Sequence, residues 1–212
     1  MTFTTANDAF AYYLDKIRTE GKTTEVGTKK LTNVGFTIEK PTANLIIHSE
    51  RKWSEKYAKA EFAWYLSGDR NISKLGEIFG KVPAIWDTMT NSAGEVNSNY
   101  GWQWEREHQL DYVVSELKQN PNSRRAALSI YDAKEWPQYR KDTPCTFAIH
   151  FTIDDGLLNM TVMMRSNDLW FGFCNDQFCF SELQYMIANR LAVNVGTYYH
   201  FVCDLHLYER HY

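Results

Sequence analysis

The segment TPCTFAIHFTIDDGLLNMTVMMRSNDLWFGFCND, residues 143–176, determines how the rest of the chain is interpreted. Apolar residues alternate with polar or small ones over Phe147–Ile153 and again over Leu158–Met164, and the turn sequence Asp-Asp-Gly lies between these runs at residues 154–156. Alternation on both sides of such a turn predicts two antiparallel strands joined as a hairpin.

Cys145 precedes the first predicted strand and Arg165 follows the second, so the hairpin should bring their side chains close together. A guanidinium beside a thiol can hold an anion and favours the thiolate, the nucleophilic form of cysteine. The alternative is that Cys145 is a small buried hydrophobic residue and that the polar run at 165–168 is a solvated turn. Motifs in the flanking sequence favour a reaction centre.

Periodicity on both sides of the segment predicts a mixed architecture. Helical spacing is found at 6–18, 57–66, 72–79, 110–117 and 176–193, and extended patterns are found before Pro41 and at 43–50, 124–132 and 199–208. Residues 90–104 are rich in turn formers, which predicts a loop that presents Asn99 and Tyr100 to a cleft. At 212 residues with 44% hydrophobic content, the chain is expected to form one α+β domain over residues 1–212, with a mixed sheet and surrounding helices.

Several polar residues within these elements have two interpretations. Glu61 lies in an aromatic helix, where it either faces water or faces a cavity that raises its proton affinity. The pair Arg124-Arg125 either protects a strand edge or clamps a phosphate. In the last strand, the odd-numbered residues from Tyr199 to Leu207 predict an apolar face, while His206 and Tyr208 share the polar face as a surface pair or as ligands for a sugar hydroxyl.

Composition limits the class of protein. A formal net charge of -3 argues against a dedicated nucleic-acid binder. The four cysteines lack CxxC or zinc-finger spacing, so neither a metal site nor a disulfide framework is indicated. The N-terminus lacks a signal-peptide pattern and no run approaches a membrane span, which predicts a cytoplasmic protein.

Five motifs together carry a family resemblance. They are SRR at 123–125, PC at 144–145, RSND at 165–168, FGFCND at 171–176 and DLHLYERH at 204–211. In this order and spacing they resemble the thymidylate synthase superfamily, over roughly residues 55–211. NSNYGW at 97–102, Cys-Thr at 145–146 and Asn-Asp at 175–176 are more similar to the phage deoxycytidylate hydroxymethylases, which would place the protein in a host cytoplasm.

The resemblance implies transfer of a one-carbon unit from 5,10-methylenetetrahydrofolate to C5 of a pyrimidine nucleotide, here dCMP. Cys145 would add to C6 of the base, with Arg165 lowering the proton affinity of the thiol. Glu61 would move protons through water, and Tyr100 would lie near that water. Water then completes a hydroxymethyl product, whereas a hydride from the folate completes a methyl product.

The base would be chosen by Asp176, which stands where uracil-selective members have Asn. A carboxyl group can accept from the amino group of cytosine and, when protonated, donate to the ring nitrogen. An Asp at a helix start is also a common N-cap, and both functions are compatible.

The resemblance assigns the remaining site residues by position. Arg165 and Ser166 would bind the nucleotide phosphate, joined by Arg124 and Arg125 from the partner of a homodimer, and His206 and Tyr208 would hold the 3′-hydroxyl. Further residues are implied for an early phosphate-binding loop and for the folate site. They are Lys29, with Lys30 as its alternative, for the loop, and Ile85, Trp86, Asp168 and Gly172 for the folate.

Three departures from the family pattern stand out. The sequence ends at Tyr212, whereas family members continue beyond this motif; Asn175 occupies a position that is usually Phe; and the early loop lacks its usual Arg. Two alternative functions follow, a methylating relative that makes thymidylate or 5-methyl-dCMP, and a catalytically silent nucleotide-binding or RNA-binding paralogue.

Overall fold

Two long antiparallel strands form the centre of the sheet in the computed structural model, which describes residues 1–134 and 141–212. They are β3 (Thr28–Ile38) and β8 (Asn194–Tyr208), paired from Thr28 opposite Tyr208 to Ile38 opposite Tyr198. The other strands are β1 (Thr2–Phe3), β2 (Lys22–Thr23), β4 (Ala127–Ser129), β5 (Thr146–Asp154), β6 (Leu157–Met164) and β7 (Asn167–Asp168).

The described strands form one mixed sheet in the order β1-β3-β8-β6-β5-β4, with β2 beside β3 and β7 beside β8. The β3–β8, β5–β6 and β4–β5 pairs are antiparallel, whereas β6 and β7 run parallel to β8. The helices are α1 (Ala6–Glu20), α2 (Glu55–Leu66), α3 (Ile72–Phe79), α4 (Ala84–Met89), α5 (Tyr100–Glu105), α6 (Gln109–Gln119) and α7 (Cys174–Leu191). The predicted α+β class with a mixed sheet is confirmed. None of the helices within the described ranges is both long and apolar enough to span a bilayer.

The predicted hairpin is present as β5 and β6. Ile149 lies opposite Val162 and Phe151 opposite Met160, and all four side chains are buried. At the turn, Asp155 has φ 51° and Gly156 has φ 74°, the left-handed conformation that two-residue hairpin turns require. Residue alternation and turn chemistry therefore determine this register.

Three local predictions are wrong. Residues 43–50 belong to no strand, and the Ile47 amide donates instead to the side chain of Asn7. The pair Arg124-Arg125 precedes β4, which begins at Ala127. The expected loop at Asn99 is a helix start, because the buried Asn99 side chain accepts from the amide of Trp102 and caps α5.

The alternation in β8 changes phase at Cys203–Asp204, so the predicted single apolar face is also wrong. Tyr198, His200 and Val202 are buried, and beyond the change the buried residues are Leu205 and Leu207. On the paired strand, Asn33 opposite this point has φ 53°, which breaks the regular pleat. Beyond this point the even-numbered residues of β8, among them His206, no longer point into the core.

Gly101 of α5 lies against the backbone of α2. A Cβ at this position would be 1.7 Å from the Tyr65 carbonyl oxygen, which cannot move without disturbing α2. We expect Gly101→Ala to lower the free energy of unfolding by at least about 2 kcal/mol, measured by urea denaturation. Gly76→Ala in α3 is the matched control, because its Cβ would come close only to a side-chain methyl of Val82, at 2.9 Å, and the backbone atoms around it lie at 3.8 Å or more. Equal stability of the two variants would contradict the prediction.

Candidate active site

Cys145 and Arg165 meet at the open end of the β5–β6 hairpin, as predicted. The Arg165 amide donates to the Cys145 carbonyl at 2.8 Å, which fixes the two backbones together. The guanidinium donates to the carbonyls of Thr143 at 2.7 Å and Pro144 at 3.2 Å, and one of its nitrogens lies 3.6 Å from the Cys145 sulfur. The positive charge is thereby held against the thiol.

Burial dominates the proton affinity of this thiol. It raises the pKa of Cys145 to about 11, although the Arg165 charge acts in the opposite direction and the Asp176 charge adds to the rise. As expected, the Arg165 charge lowers the pKa of the Cys145 thiol. Burial raises that pKa by more than Arg165 lowers it. In the free chain near pH 7, Cys145 is a thiol.

Alkylation tests this balance. Because the pKa lies near 11, we expect the rate of Cys145 modification by iodoacetamide to rise about tenfold per pH unit between pH 7 and 9. Arg165→Gln should lower the rate about tenfold at each pH, whereas Arg165→Lys, which keeps a cation, should lower it less. Peptide mass spectrometry separates Cys145 from Cys203, whose rate serves as the internal control. A rate independent of pH would show that the thiol is already ionised below pH 7, which would contradict a pKa near 11. A rate unaffected by Arg165→Gln would show that the guanidinium does not act on the sulfur.

Two acids lie near this corner, of which Glu61 is buried and Asp176 is half-buried. Glu61 on α2 is 4% exposed, and burial followed by the Asp176 charge raises its pKa to about 8. Burial likewise raises the pKa of Asp176 to about 7, with the Asp168 charge adding and a hydrogen bond from Asn167 opposing. Both carboxyl groups can therefore exchange protons near neutral pH, which suits acid and base chemistry.

Asp176 does not cap α7. The helix continues directly from a π-helical segment, Leu169–Phe173, so Asp176 lies within the first turn and its side chain points to Asn167. The Asn167 amide nitrogen donates to Asp176 Oδ2 at 2.7 Å, and the Asn167 side chain is 2% exposed. Gly172 permits this contact, because a Cβ there would lie 2.8 Å from the same amide nitrogen.

Beyond the change of phase in β8, polar side chains of this strand lie next to Ser166. Ser166 Oγ lies 3.5 Å from His206 Nδ1, which is 3.2 Å from Asp204 Oδ1. Lys30 on the adjacent strand forms an ion pair with Asp204, and the Tyr208 ring packs edge-on against His206. His206 thus contacts Ser166, and Ser166 directly follows Arg165 in the chain.

Lys29 and Lys30 contact different parts of the protein. Lys29 donates to the Arg18 carbonyl at 2.8 Å and its ammonium lies 5.0 Å from the centre of the Tyr212 ring. Lys30 is the one that joins the Asp204–His206 group. The assignment of Lys29 to a phosphate remains a prediction, and Lys30 is the lysine with a contact to the β8 polar residues.

Arg124 and Arg125 are both exposed. Arg125 binds Glu116 of α6 through two nitrogens, at 2.9 and 3.0 Å. Among the described residues, no hydrogen bond or ion pair connects either arginine with Arg165. The contribution of Arg124 and Arg125 to a phosphate site therefore stays a prediction.

Tyr100 and Asp168 are tied to the site in different ways. Tyr100 is buried between Tyr65 and Phe180, and burial together with the charges of Asp176 and Cys145 raises its pKa. Both oxygens of Asp168 accept backbone amides of the π-helical segment, at 3.0 Å each. A negative charge on Asp176 or Cys145 therefore acts on the Tyr100 hydroxyl.

The residues predicted for a folate site differ in exposure. Ile85 is 57% exposed, whereas the neighbouring Trp86 is 8% exposed and its indole nitrogen donates to the Tyr57 hydroxyl at 2.9 Å. Phe171, beside Gly172, is 43% exposed. Exposed apolar side chains next to a polar site are suited to a flat aromatic ring.

Sequence reasoning missed Tyr57 and Asn167. Tyr57 precedes Glu61 by four residues, the spacing that places two side chains on one face of a helix, so a signal was present. Asn167 belongs to the RSND motif at 165–168, but the sequence predicted no function for it. Asn175, noted as a departure from the family, accepts a hydrogen bond from the Trp53 indole at 2.8 Å.

Comparisons with known proteins agree with this geometry. Residues 8–212 match the sequence profile of the family described as thymidylate synthase. Proteins described as deoxycytidylate 5-hydroxymethyltransferase from Enterobacteria phages T4, T2 and T6 are each 32% identical over 176 residues, covering 75% of this chain and 69% of the relative. The structure of a thermostable thymidylate synthase A from Bacillus subtilis superposes with a TM-score of 0.81 at 24% identity, covering 97% of this chain and 80% of that one. The last likeness concerns the fold alone.

Proposed function

Because the chain belongs to the thymidylate synthase family, we propose that it is a deoxycytidylate 5-hydroxymethyltransferase. In the proposed reaction, dCMP, 5,10-methylenetetrahydrofolate and water give 5-hydroxymethyl-dCMP and tetrahydrofolate. The coarser activity, a folate-dependent one-carbon transferase, is supported by the family and by the phage relatives. The observation that carries the finer proposal is the half-buried carboxyl group of Asp176, positioned by Asn167 beside the Cys145 corner.

Cys145 is the proposed nucleophile, and its sulfur adds to C6 of the pyrimidine. The reaction requires loss of the thiol proton, which a ring that accepts charge and an adjacent guanidinium both assist. The 3.6 Å contact with Arg165 supports this function. The same Arg165, together with Ser166, would bind the phosphate, so nucleotide binding and thiol activation share one residue.

Asp176 is the proposed reader of the base. With a pKa near 7, its carboxyl group is available in the protonated form, which donates to N3 of cytosine while accepting from the amino group. Asn167 donates to Oδ2, so Oδ1 is the oxygen that can carry the proton. Uracil would require the opposite arrangement of donor and acceptor.

The sugar and phosphate are assigned to residues at the polar end of β8 and to a second subunit. His206 and Tyr208 would bind the 3′-hydroxyl, and Lys29 would extend the phosphate site. Arg124 and Arg125 would complete it across a homodimer, which the exposure of both side chains supports. We further propose that residues 1–212 act as one catalytic domain in the cytoplasm.

Glu61 and Tyr100 are the proposed proton carriers, acting through water near the base. When bound, the folate supplies the one-carbon unit, and exposed apolar surface at Ile85 and Phe171 fits its flat rings. Trp86, Asp168 and Gly172 complete the proposed folate site.

A single incubation tests the proposal. The protein, 5,10-methylenetetrahydrofolate and a mixture of dCMP and dUMP are incubated, the products are identified by mass spectrometry, and dihydrofolate is followed by its absorbance. Hydroxymethyl-dCMP without dihydrofolate supports the proposal. Methylated product with dihydrofolate would identify a methylating relative, because only hydride transfer oxidises the folate. No product and no adduct with a 5-fluoropyrimidine nucleotide would indicate a silent nucleotide-binding paralogue.

A further inference from the structure

Three side chains form a continuous hydrogen-bonded relay that ends at Glu61. The Trp86 indole nitrogen of α4 donates to the Tyr57 hydroxyl at 2.9 Å, and the Tyr57 hydroxyl donates to Glu61 Oε1, also at 2.9 Å. Tyr57 lies one helical turn before Glu61 on α2. The relay therefore connects two helices to one carboxyl oxygen.

The direction of the relay follows from the chemistry of its members. An indole nitrogen has a proton and no lone pair to offer, so it can only donate. The Tyr57 oxygen must accept that bond, which leaves the single phenolic proton to be donated to Glu61. Burial raises the pKa of Tyr57, so the hydroxyl keeps this proton throughout the working pH range.

The two oxygens of Glu61 are therefore not equivalent. Oε1 accepts the hydrogen bond of the Tyr57 hydroxyl, whereas Oε2 is buried and has no hydrogen-bond partner among the described residues. A buried polar atom of this kind calls for a function or a ligand. Since an oxygen that accepts a strong hydrogen bond is the less basic of the two, a proton bound to Glu61 is favoured on Oε2.

We propose that Tyr57 is a positioning residue that keeps Oε1 of Glu61 as an acceptor and leaves Oε2 to carry the proton exchanged with the ligand. This inference rests on the proposed function of the site and adds to it a residue outside the family motifs. Tyr57 would not touch the reacting atoms. It would act through Glu61, and Trp86 would act through Tyr57.

Packing keeps the relay in place. The Tyr57 ring packs edge-on against Phe79 with 5.1 Å between centroids, and the Trp86 ring packs edge-on against Trp64 at the same separation. Phenylalanine at position 57 would retain the ring contact and lose only the hydroxyl. Tyr57→Phe is therefore a specific test of the hydrogen bond.

The primary measurement is the titration of Glu61 itself, followed by carboxyl 13C NMR of the ligand-free protein. Because the Tyr57 hydrogen bond lowers the pKa of Glu61 against the effect of burial, we expect Tyr57→Phe to raise that pKa. The Trp86 indole proton resonance should shift as its acceptor is lost. Tyr185→Phe, at a 51% exposed tyrosine of α7, is the matched control and should change neither signal.

The second measurement is the pH profile of turnover with dCMP. Tyr57→Phe should lower kcat by about tenfold to a hundredfold with little change in KM for dCMP, and its apparent pKa should move upward with that of Glu61. If Tyr57→Phe does not fold, Trp86→Phe provides the second variant, and the Glu61 pKa should then move in the same direction by a smaller amount.

An unchanged Glu61 titration in Tyr57→Phe would overturn the inference, as would a shifted titration with an unchanged pH profile. Failure of the wild-type protein to act on any pyrimidine nucleotide would instead count against the proposed function. In that case the NMR titration still decides whether Tyr57 controls the proton of Glu61.

Discussion

Replacing Cys145 with alanine is expected to lower turnover of dCMP by about 10⁴-fold or more, to the limit of detection. The base is activated only by addition of a soft nucleophile at C6, and the sulfur next to Arg165 is the one that the hairpin places at this corner. Product formation measured by mass spectrometry gives the rate. The covalent adduct with 5-fluoro-dCMP and the folate should also be lost.

Two variants make this result interpretable. Cys203→Ala removes another partly exposed thiol, on β8, and should retain the wild-type rate. Cys145→Ser keeps a small polar side chain but replaces the sulfur with a weaker nucleophile, and it should be nearly as inactive as the alanine variant. Turnover by Cys145→Ala at more than about a hundredth of the wild-type rate would refute the proposed mechanism.

Asp176→Asn is expected to reverse the choice of base. An asparagine amide has one donor and one acceptor, and it matches uracil when its nitrogen lies on the Asn167 side, facing the C4 carbonyl, and its oxygen faces the N3–H. Asn167 can turn to accept from that nitrogen, because its Oδ1 has no hydrogen-bond partner among the described residues. Cytosine needs the opposite pair. We expect the ratio of kcat/KM for dCMP to that for dUMP to fall by at least about a hundredfold. Asp15→Asn, at an exposed position of α1, controls for the charge change.

The pH dependence provides an independent check of the same residue. Wild-type kcat/KM for dCMP should decline above about pH 7, because the protonated form of Asp176 that donates to N3 is then lost. The Asp176→Asn variant should lack the step near pH 7, since an amide does not titrate, and should keep only the pH dependence that Glu61 contributes. Retention of a preference for dCMP by the variant would mean that another residue reads the base.

Local sequence patterns predicted the parts of the site that depend on one hairpin. Alternation and the Asp-Asp-Gly turn were sufficient to bring Cys145 and Arg165 together, because register in a tight hairpin is set by the turn. The helix of Glu61 also followed from its aromatic neighbours, whereas its burial was one of two alternatives that the local pattern left open. These features depend on contacts between residues that are close in sequence.

The remaining features depend on contacts that local patterns do not contain. Asn99 looked like a loop residue because the amino acids that cap helices are also those of turns. The relay to Glu61 needs Trp86, which α4 brings to Tyr57 from 29 positions further along the chain. Asn167 could not be recognised as the partner of Asp176 until the π-helical segment between them was known.

The phase change at Cys203–Asp204 also constrains protein engineering. It lets one continuous strand direct Val202 to the interior and His206 to Ser166, although both have even numbers. A designer who regularised the pleat in β8 would rotate His206 inward and break its contact with Ser166 without altering a single amino acid of the candidate site. Grafting this scaffold onto new substrates therefore means preserving an irregularity, as well as a set of side chains.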